Sequence, residues 1–272
     1  MIEVKPQPNA TVFLDRANTW LRENEPSHRC ILSIARLLQG DSHFEPPFYL
    51  ATVEANDRTC GCALRAAPDG LYLTNLPPEA LPAIVEQLRT LYETLPEVTG
   101  PEPIVTAFAE RWSPENWKLH VRCLCYRIRS VVEPARPPAG SLRKGLASDL
   151  PLLRDWAPDY AHASGTKLDM RLYFERMLKR ELLYLWDDHG ARCVTTTSKL
   201  TPNGAEISSL YTPPRFRNSG YATATVAAAS QRILDSGRTF CMIAADERAS
   251  STNRIYRRVG YEHIGELVVI HL

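Results

Sequence analysis

The sequence predicts a mixed α/β protein of the α+β mixed-sheet kind, in which a mostly antiparallel central sheet flanked by helices occurs twice in succession. Three observations predict it. Strand-like runs with alternating apolar residues are interleaved throughout with runs of helical spacing. The stretch 133–140 (Glu-Pro-Ala-Arg-Pro-Pro-Ala-Gly) interrupts that order and reads as a linker, because proline fixes φ and disfavours a helix before it. The runs 48–78 and 183–214 repeat one order of strand, turn, strand, turn, strand and Pro-Pro, with Gly70 answering Gly204 and Pro77-Pro78 answering Pro213-Pro214. A chain of 272 residues has room for two domains of this size. The boundaries fall at 1–132 and 141–272, on either side of the linker.

The elements follow in order. Residues 11–21 and 29–38 have helical spacing, the second stopped by Gly40. Residues 48–53 read as a strand, 55–57 as its turn, 59–66 as the returning strand and 71–76 as another. A helix is expected over 79–95, where Leu81, Ile84, Val85, Leu88, Leu91 and Tyr92 share one side. Residues 104–110 read as a strand, 113–118 as a short helix and 121–132 as a closing strand. After the linker, 142–146 is a strand. Ser148 or Asp149 caps a helix over 150–160, with Pro151 in its first turn, and 168–178 is a second helix. A hairpin of 182–186 and 193–199 turns at 187–190, and Asn203-Gly204 turns into a strand that runs to Thr212. The helix 221–235 ends at Ser236-Gly237. A strand over 239–245, a helix from Ser251 to Gly260 and a strand over 263–272 complete the chain.

The junction between the strand ending at Thr212 and the helix starting at Tyr221 is the stretch with chemistry in it. Amides that open a helix have no internal acceptor and sit at the positive end of its dipole. Gly220 lets the backbone turn tightly there, and Arg217 adds positive charge at the rim, so the junction suits a phosphate. It lacks the lysine of a P-loop and the three glycines of a dinucleotide fingerprint. The plain alternative is a tight turn into a helix, with Arg217 a solvated charge.

The form Arg-x-x-Gly-x-Ala over 217–222 resembles the pyrophosphate loop of the GNAT superfamily, the acetyl-CoA-dependent N-acetyltransferases. The run 253–261 (Asn-Arg-Ile-Tyr-Arg-Arg-Val-Gly-Tyr) resembles a second feature of that family, which follows about thirty residues after the loop. From Leu142 onward the order of elements is similar to the GNAT fold, one strand short; an edge strand from the first half would supply the missing one. The whole chain resembles the tandem, two-domain acetyltransferases of this superfamily, with a first copy that has lost the cofactor loop.

The resemblance implies acetyl-CoA as cosubstrate and a primary amine, on a small molecule or a peptide, as acceptor. The amides of Asn218, Ser219, Gly220, Tyr221 and Ala222 would cradle the pyrophosphate, with Arg217 beside them and the Thr223 hydroxyl adding a bond. A main-chain amide within Leu210-Tyr211-Thr212 would meet the oxyanion, where the central strand splays from its neighbour. Tyr256 is the candidate general acid for the leaving thiolate, and Asn253, three residues before it on one helix face, would bond the pantetheine arm. Glu206 is the candidate general base; the alternative is a strand carboxylate facing solvent or paired with an arginine. His162, Asp169 and Tyr173 lie in the region of the acceptor, while His263 and His271 read as structural. Two further readings stay open: a module that binds acyl-CoA without turnover, and an acyltransferase for a longer acyl chain.

Composition narrows the classes. A net charge of +1 gives no support to a nucleic-acid partner, and no apolar run approaches a membrane span. Residues 1–6 lack a signal-peptide core, so the expectation is a cytoplasmic protein, with a homodimer open. Cys60/Cys62 and Cys123/Cys125 could be read as four zinc ligands. However, both pairs lie in strand-like runs where i and i+2 share a face, so they read as buried thiols, and no metal is expected.

Overall fold

The computed structural model describes residues 1–40, 44–198 and 200–272. Lys199, the last residue of one expected strand, lies outside them. The chain divides into two compact units that are not consecutive in sequence. One comprises Met1–Cys125, Ala245–Arg248 and Ile264–Leu272; the other comprises Tyr126–Ala244 and Ala249–His263. This differs from a simple division at 133–140, because the last strand of the sequence belongs to the first unit.

In the first unit β1 (Ile2–Pro6) is followed by α1 (Ala10–Glu23) and α2 (Glu25–Leu37). Then come β2 (Glu45–Ala55), β3 (Arg58–Ala67), β4 (Leu71–Leu73), α3 (Leu81–Arg89), β5 (Glu97–Gly100) and α4 (Glu102–Trp112). The turn between β2 and β3 puts Asn56 and Asp57 at φ +49° and +59°, the left-handed pair that a two-residue hairpin needs and that Asn and Asp tolerate. The sheet runs β1-β2-β3-β4-β5 and continues into β12 (Glu262–His271), which pairs antiparallel with β5 from Val268↔Gly100 to His271↔Glu97. One face is covered by Leu81, Ile84 and Leu88 of α3 and by Ile104, Val105 and Phe108 of α4. The other carries Phe13, Leu14 and Leu21 of α1 and Ile31 and Leu32 of α2.

Three expectations fail in this unit. Residues 104–110 are not a strand. Ile104, Val105, Phe108, Ala109 and Trp112 are all buried, a spacing that fits one face of a helix, and Pro103 sits in its first turn where a missing amide costs nothing. Residues 113–118 are not a helix; they form a turn into β6 (Lys118–Ile128). The expected helix over 79–95 stops at Arg89. The strands β1 and β5, at five and four residues, were too short to show a period.

The second unit repeats the order: β7 (Ser141–Lys144), α5 (Leu150–Ser164), α6 (Met170–Lys179), β8 (Leu183–Asp187), β9 (Ala191–Ser198), β10 (Gly204–Tyr211), α7 (Tyr221–Asp235), β11 (Phe240–Asp246) and α8 (Ser250–Val259). Its sheet runs β7-β8-β9-β10-β11, with the end of β6, Tyr126–Ile128, beyond β11. A strand from the first half thus supplies the edge that the sequence lacked. The pairs β7–β8, β8–β9 and β9–β10 are antiparallel, while β10 and β11 are parallel, which requires the crossover helix α7. Leu153, Trp156, Phe174 and Met177 of α5 and α6 bury one face of this sheet against Leu183, Leu185 and Val194.

Candidate functional site

The site is built where β10 and β11 part. Their pairing covers only Gly204↔Phe240, Ala205↔Cys241 and Glu206↔Met242. Gly204 is required for it to begin, because a Cβ there would run into the Phe240 ring. On its other side β10 follows β9 from Glu206↔Ser198 to Ser208↔Thr196, then shifts register before Tyr211↔Val194. Ser209 sits in that shift at φ +53°, the signature of a bulge that re-aims a strand. Past Glu206, therefore, Leu210, Tyr211 and Thr212 have no ladder partner on the β11 side among the described residues. Pro213 and Pro214 follow, and proline cannot restore a ladder. The strand thus parts from its neighbour where the sequence predicts a splay. The Tyr211 side chain itself points away, packed edge-on against Trp156 and Tyr160 with its hydroxyl 3.4 Å from Asp159.

A short 3-10 turn, Pro214–Phe216, leads into the loop. Arg217 folds back to donate from Nε to the Thr212 carbonyl at 3.0 Å, which closes the loop on itself. Asn218 (φ +62°) and Gly220 (φ +84°) both take left-handed backbone. α7 then starts with no side-chain cap, so the amides from Asn218 to Thr223 have no acceptor among the described residues. The loop is exposed, and its far side is fixed: the Tyr221 hydroxyl donates to Asp188 Oδ2 at 2.6 Å, tying the helix start to the β8–β9 turn. Arg192 and Arg215 both lie over the Phe216 ring, at 4.5 and 4.7 Å, and add two guanidinium groups beside Arg217. Ala222 and Thr223 are half-buried at the first turn.

Tyr256 and Asn253 lie on the inner face of α8 and are each 5% exposed. Burial pushes the Tyr256 phenol well above its ordinary value, aided by the nearby Tyr160, Glu206 and Cys193, so it remains a proton carrier at neutral pH. Glu206 is thus close enough to Tyr256 to act on its ionisation. Glu206 is 2% exposed, which overturns the alternative of a strand carboxylate facing solvent. It shares a sheet face with Ser208, and Ser208 stands in a hydroxyl cluster: Ser198 Oγ at 2.8 Å, Thr196 Oγ at 3.1 Å and the Tyr173 hydroxyl at 3.4 Å. Cys193 is fully buried and receives the Thr212 hydroxyl at 3.2 Å. Burial pushes its thiol up to about 11, so it is not a thiolate nucleophile.

Of the other residues singled out, Asp169 caps α6 by accepting from the amides of Arg171 and Leu172. His162 is exposed, His263 packs edge-on to Tyr126, and His271 stacks on His120. The sequence reading missed Ser209, Arg192, Asp188 and Tyr160. Nothing in Ser208-Ser209 marks a bulge. Arg192 and Asp188 meet the loop only through the hairpin, and Tyr160 of α5 packs edge-on against Phe174 and Tyr211. All seven cysteines are free thiols, and no group that could hold a metal ion occurs among the described residues. No helix among them is long and apolar enough to cross a membrane.

A mixed sheet with a bulged, splayed central strand that feeds an uncapped helix defines a fold class, and comparison with known structures gives that class its name. The model of a family described as FR47-like protein matches residues 193–269, from β9 into β12. A Drosophila protein of known structure is similar over 99% of this chain and 98% of its own, at 12% identity and a TM-score of 0.68. A tandem GNAT protein from the clavulanic acid biosynthesis pathway is similar over 100% and 98%, at 14% identity and a TM-score of 0.59. An acetyltransferase of the GNAT family from Colwellia psychrerythraea is similar over 99% and 98%, at 11% identity and a TM-score of 0.56. No curated protein sequence matches the chain. The fold is that of the GNAT superfamily.

Proposed function

We propose that the protein is an N-acetyltransferase that moves the acetyl group of acetyl-CoA to a primary amine by direct attack. The observation that carries the reading is the row of unengaged amides from Asn218 to Thr223, set next to the splay of β10 from β11. The first would hold the pyrophosphate. The second would place the thioester carbonyl against an amide of Leu210, Tyr211 or Thr212, where developing negative charge is stabilised. Asn253 would bond the pantetheine arm.

In the reaction the amine nitrogen forms a bond to the carbonyl carbon, the C–S bond breaks, and the nitrogen gives up a proton. Glu206 is buried at the splay and would take that proton, directly or through water. Tyr256 would face the departing sulfur. A thiol ionises near 8.5, and burial has raised the phenol above 10, so full proton transfer from Tyr256 is uphill. Its contribution is a strong O–H hydrogen bond to the thiolate as charge builds. The protected Cys193 thiol argues against a covalent acyl-enzyme at that residue. The acceptor, on a small molecule or a peptide, would approach past Tyr173 and the Ser198, Thr196 and Ser208 hydroxyls. A cytoplasmic setting and, if the chain self-associates, a homodimer belong to the same proposal.

The test is isothermal titration of the purified protein with acetyl-CoA and with free CoA, beside the double variant Arg217→Ala/Gly220→Glu. Tight binding that the variant abolishes supports the reading and calls for a screen of amine acceptors. Absence of binding by the intact protein refutes it. Cofactor binding without transfer to any amine would favour the non-catalytic acyl-CoA module. Tighter binding and faster transfer with a longer acyl-CoA would move the reading to that substrate.

A further inference from the structure

The first unit holds a cavity of about 140 Å³ walled by the start of α2, the end of β4, Pro101 before α4, Cys125 of β6 and the strand β12. It lies where β4 leaves β5, after the parallel pairs Leu71↔Val98 and Tyr72↔Thr99. In the order of elements this is the counterpart of the splay between β10 and β11. The first unit, however, has no phosphate loop. Its 3-10 turn, Pro78–Ala80, passes directly into α3 at Leu81, and Pro82 removes one of the amides that would open that helix. A nucleotide cofactor has nothing to hold it here, yet the space remains.

The chemistry of the walls is specific. His28 is 9% exposed, and its ring is stacked on Trp20 at a centroid distance of 4.6 Å. Its Nδ1 is 2.9 Å from the Leu21 carbonyl, which can only accept, so Nδ1 carries the hydrogen and Nε2 is left with a lone pair. Burial lowers the imidazole below its ordinary value, which keeps it neutral. Glu266 supplies a carboxylate. It shares Arg122 with Glu102 and Glu247, so one guanidinium stands among three carboxylates and the group is net negative. Asn24 and Asn75 add carboxamides, each able to accept as well as donate. Arg29 is buried behind this wall, donating to the Pro26 carbonyl and towards Cys125 Sγ, and does not line the cavity. Leu73, Ile264 and Leu267 give the lining its apolar part.

We propose that this cavity is a separate binding site for a small primary amine with an apolar body, its ammonium group directed to Glu266 and the His28 Nε2 lone pair. Acceptors and negative charge select the ammonium, and the apolar wall selects the body. A cavity of roughly 150 Å³ lined by apolar side chains accommodates benzene, so the ligand has about six to eight non-hydrogen atoms. The proposal stands independently of acetyl-CoA binding in the second unit.

The experiment is a calorimetric titration of the full-length chain with benzylamine, with benzyl alcohol as the uncharged control. The variants are Glu266→Gln, His28→Phe and Gly220→Glu. His28→Phe keeps the stacked ring and removes the acceptor. Melting temperature checks that each variant folds; Glu266 is half exposed, so Glu266→Gln carries the test if His28→Phe does not fold. The expected result is saturable binding of benzylamine, weakened at least tenfold by Glu266→Gln and by His28→Phe and unchanged by Gly220→Glu. Benzyl alcohol should bind at least tenfold more weakly than benzylamine. The proposal is overturned if benzylamine does not bind, if the alcohol binds as well, or if Glu266→Gln binds as the parent does. Loss of binding in Gly220→Glu would also overturn it, by making the binding depend on the second unit.

Discussion

Gly220 offers a substitution that separates backbone strain from charge. It sits at φ +84°, and the nearest atom to a built Cβ is Pro138 Cδ at 3.6 Å, so any side chain fits and points into open space. Two variants of equal size, Gly220→Gln and Gly220→Glu, therefore suffer the same penalty for left-handed backbone, about 1–2 kcal/mol. In a chain of this size that lowers Tm by a few degrees in both. They differ only by one negative charge at the mouth of the loop. Two unit charges 4 Å apart interact by about 1 kcal/mol in bulk water and by about 4 kcal/mol near a protein surface. The loop is exposed, so the lower end applies. If a pyrophosphate sits on the amides of 218–223, Gly220→Glu should bind acetyl-CoA roughly 5- to 30-fold more weakly than Gly220→Gln. The gap should shrink as salt rises from 0.05 to about 0.5 M, as an exposed charge pair requires. Isothermal titration at two ionic strengths measures it. Equal dissociation constants for the two variants, with equal melting temperatures, would mean that no anion approaches this helix start, and the assignment of the loop would fail.

Three further outcomes are expected. Tyr256→Phe should reduce acetyl transfer by about 10²-fold while the dissociation constant for acetyl-CoA stays within about twofold, since the hydroxyl acts on the leaving sulfur; loss of affinity in parallel with rate, followed by titration and steady-state kinetics, would show the hydroxyl to be structural. Gly204→Ala drives a methyl group into the Phe240 ring and should cost about 1–3 kcal/mol, read as a lower denaturant midpoint at unchanged slope. Asp187 is held below the usual carboxylate range by the Arg143 guanidinium at 2.7 Å and by the Gly190 amide. Its folded-state value is thus depressed, so its contribution is present above the unfolded value of about 3.9 and is lost as pH falls through the folded value. Arg143→Met should flatten the decline of Tm below about pH 4, and an unaltered acid limb would remove this pair from the pH dependence.

The second half of the chain was far more legible than the first, and the reasons are local. α7 was found at its true ends because Gly220 and Gly237 both need positive φ, while Ala224, Ala227 and Ile233 hold one buried face between them. α8 was delimited by Gly260 at φ +102° in the same way. The failures at 104–110 and 113–118 came from assigning a period to too few residues. Ile104-Val105 looks like a strand until Phe108 and Trp112 are counted with it, and four-residue β5 has no period to find. At the site, the residues legible in sequence were those whose backbone conformation dictates their identity. Glu206 could be named but not placed, because its burial depends on its neighbours across the sheet, Ser198 on one side and Met242 on the other. The bulge at Ser209 left no trace, since serine at positive φ is a consequence of the fold and not a preference of the residue.

The two units also show how little separates a helix that starts on a loop with left-handed backbone from one that starts directly on a turn. In the first, the turn Pro78–Ala80 is followed at once by α3. In the second, the turn Pro214–Phe216 is followed by Arg217, Asn218, Ser219 and Gly220 before α7 begins. Those four residues contain both positive-φ positions of the loop and its folded-back arginine. Without them the start of α7 would follow the turn as directly as α3 does, and Pro82 in α3 shows that a donor lost at that position is tolerated when no anion must be bound. The sheet beneath is the same in both units up to the parallel pair, β4 with β5 and β10 with β11, and both part company after it. The space opened by parting strands is therefore a property of the fold, while the choice of ligand is set by what lines it. In the second unit that lining is a loop of free amides, a tyrosine and a buried carboxylate. In the first it is His28 and Glu266, an imidazole and a carboxylate that suit a cation better than a phosphate.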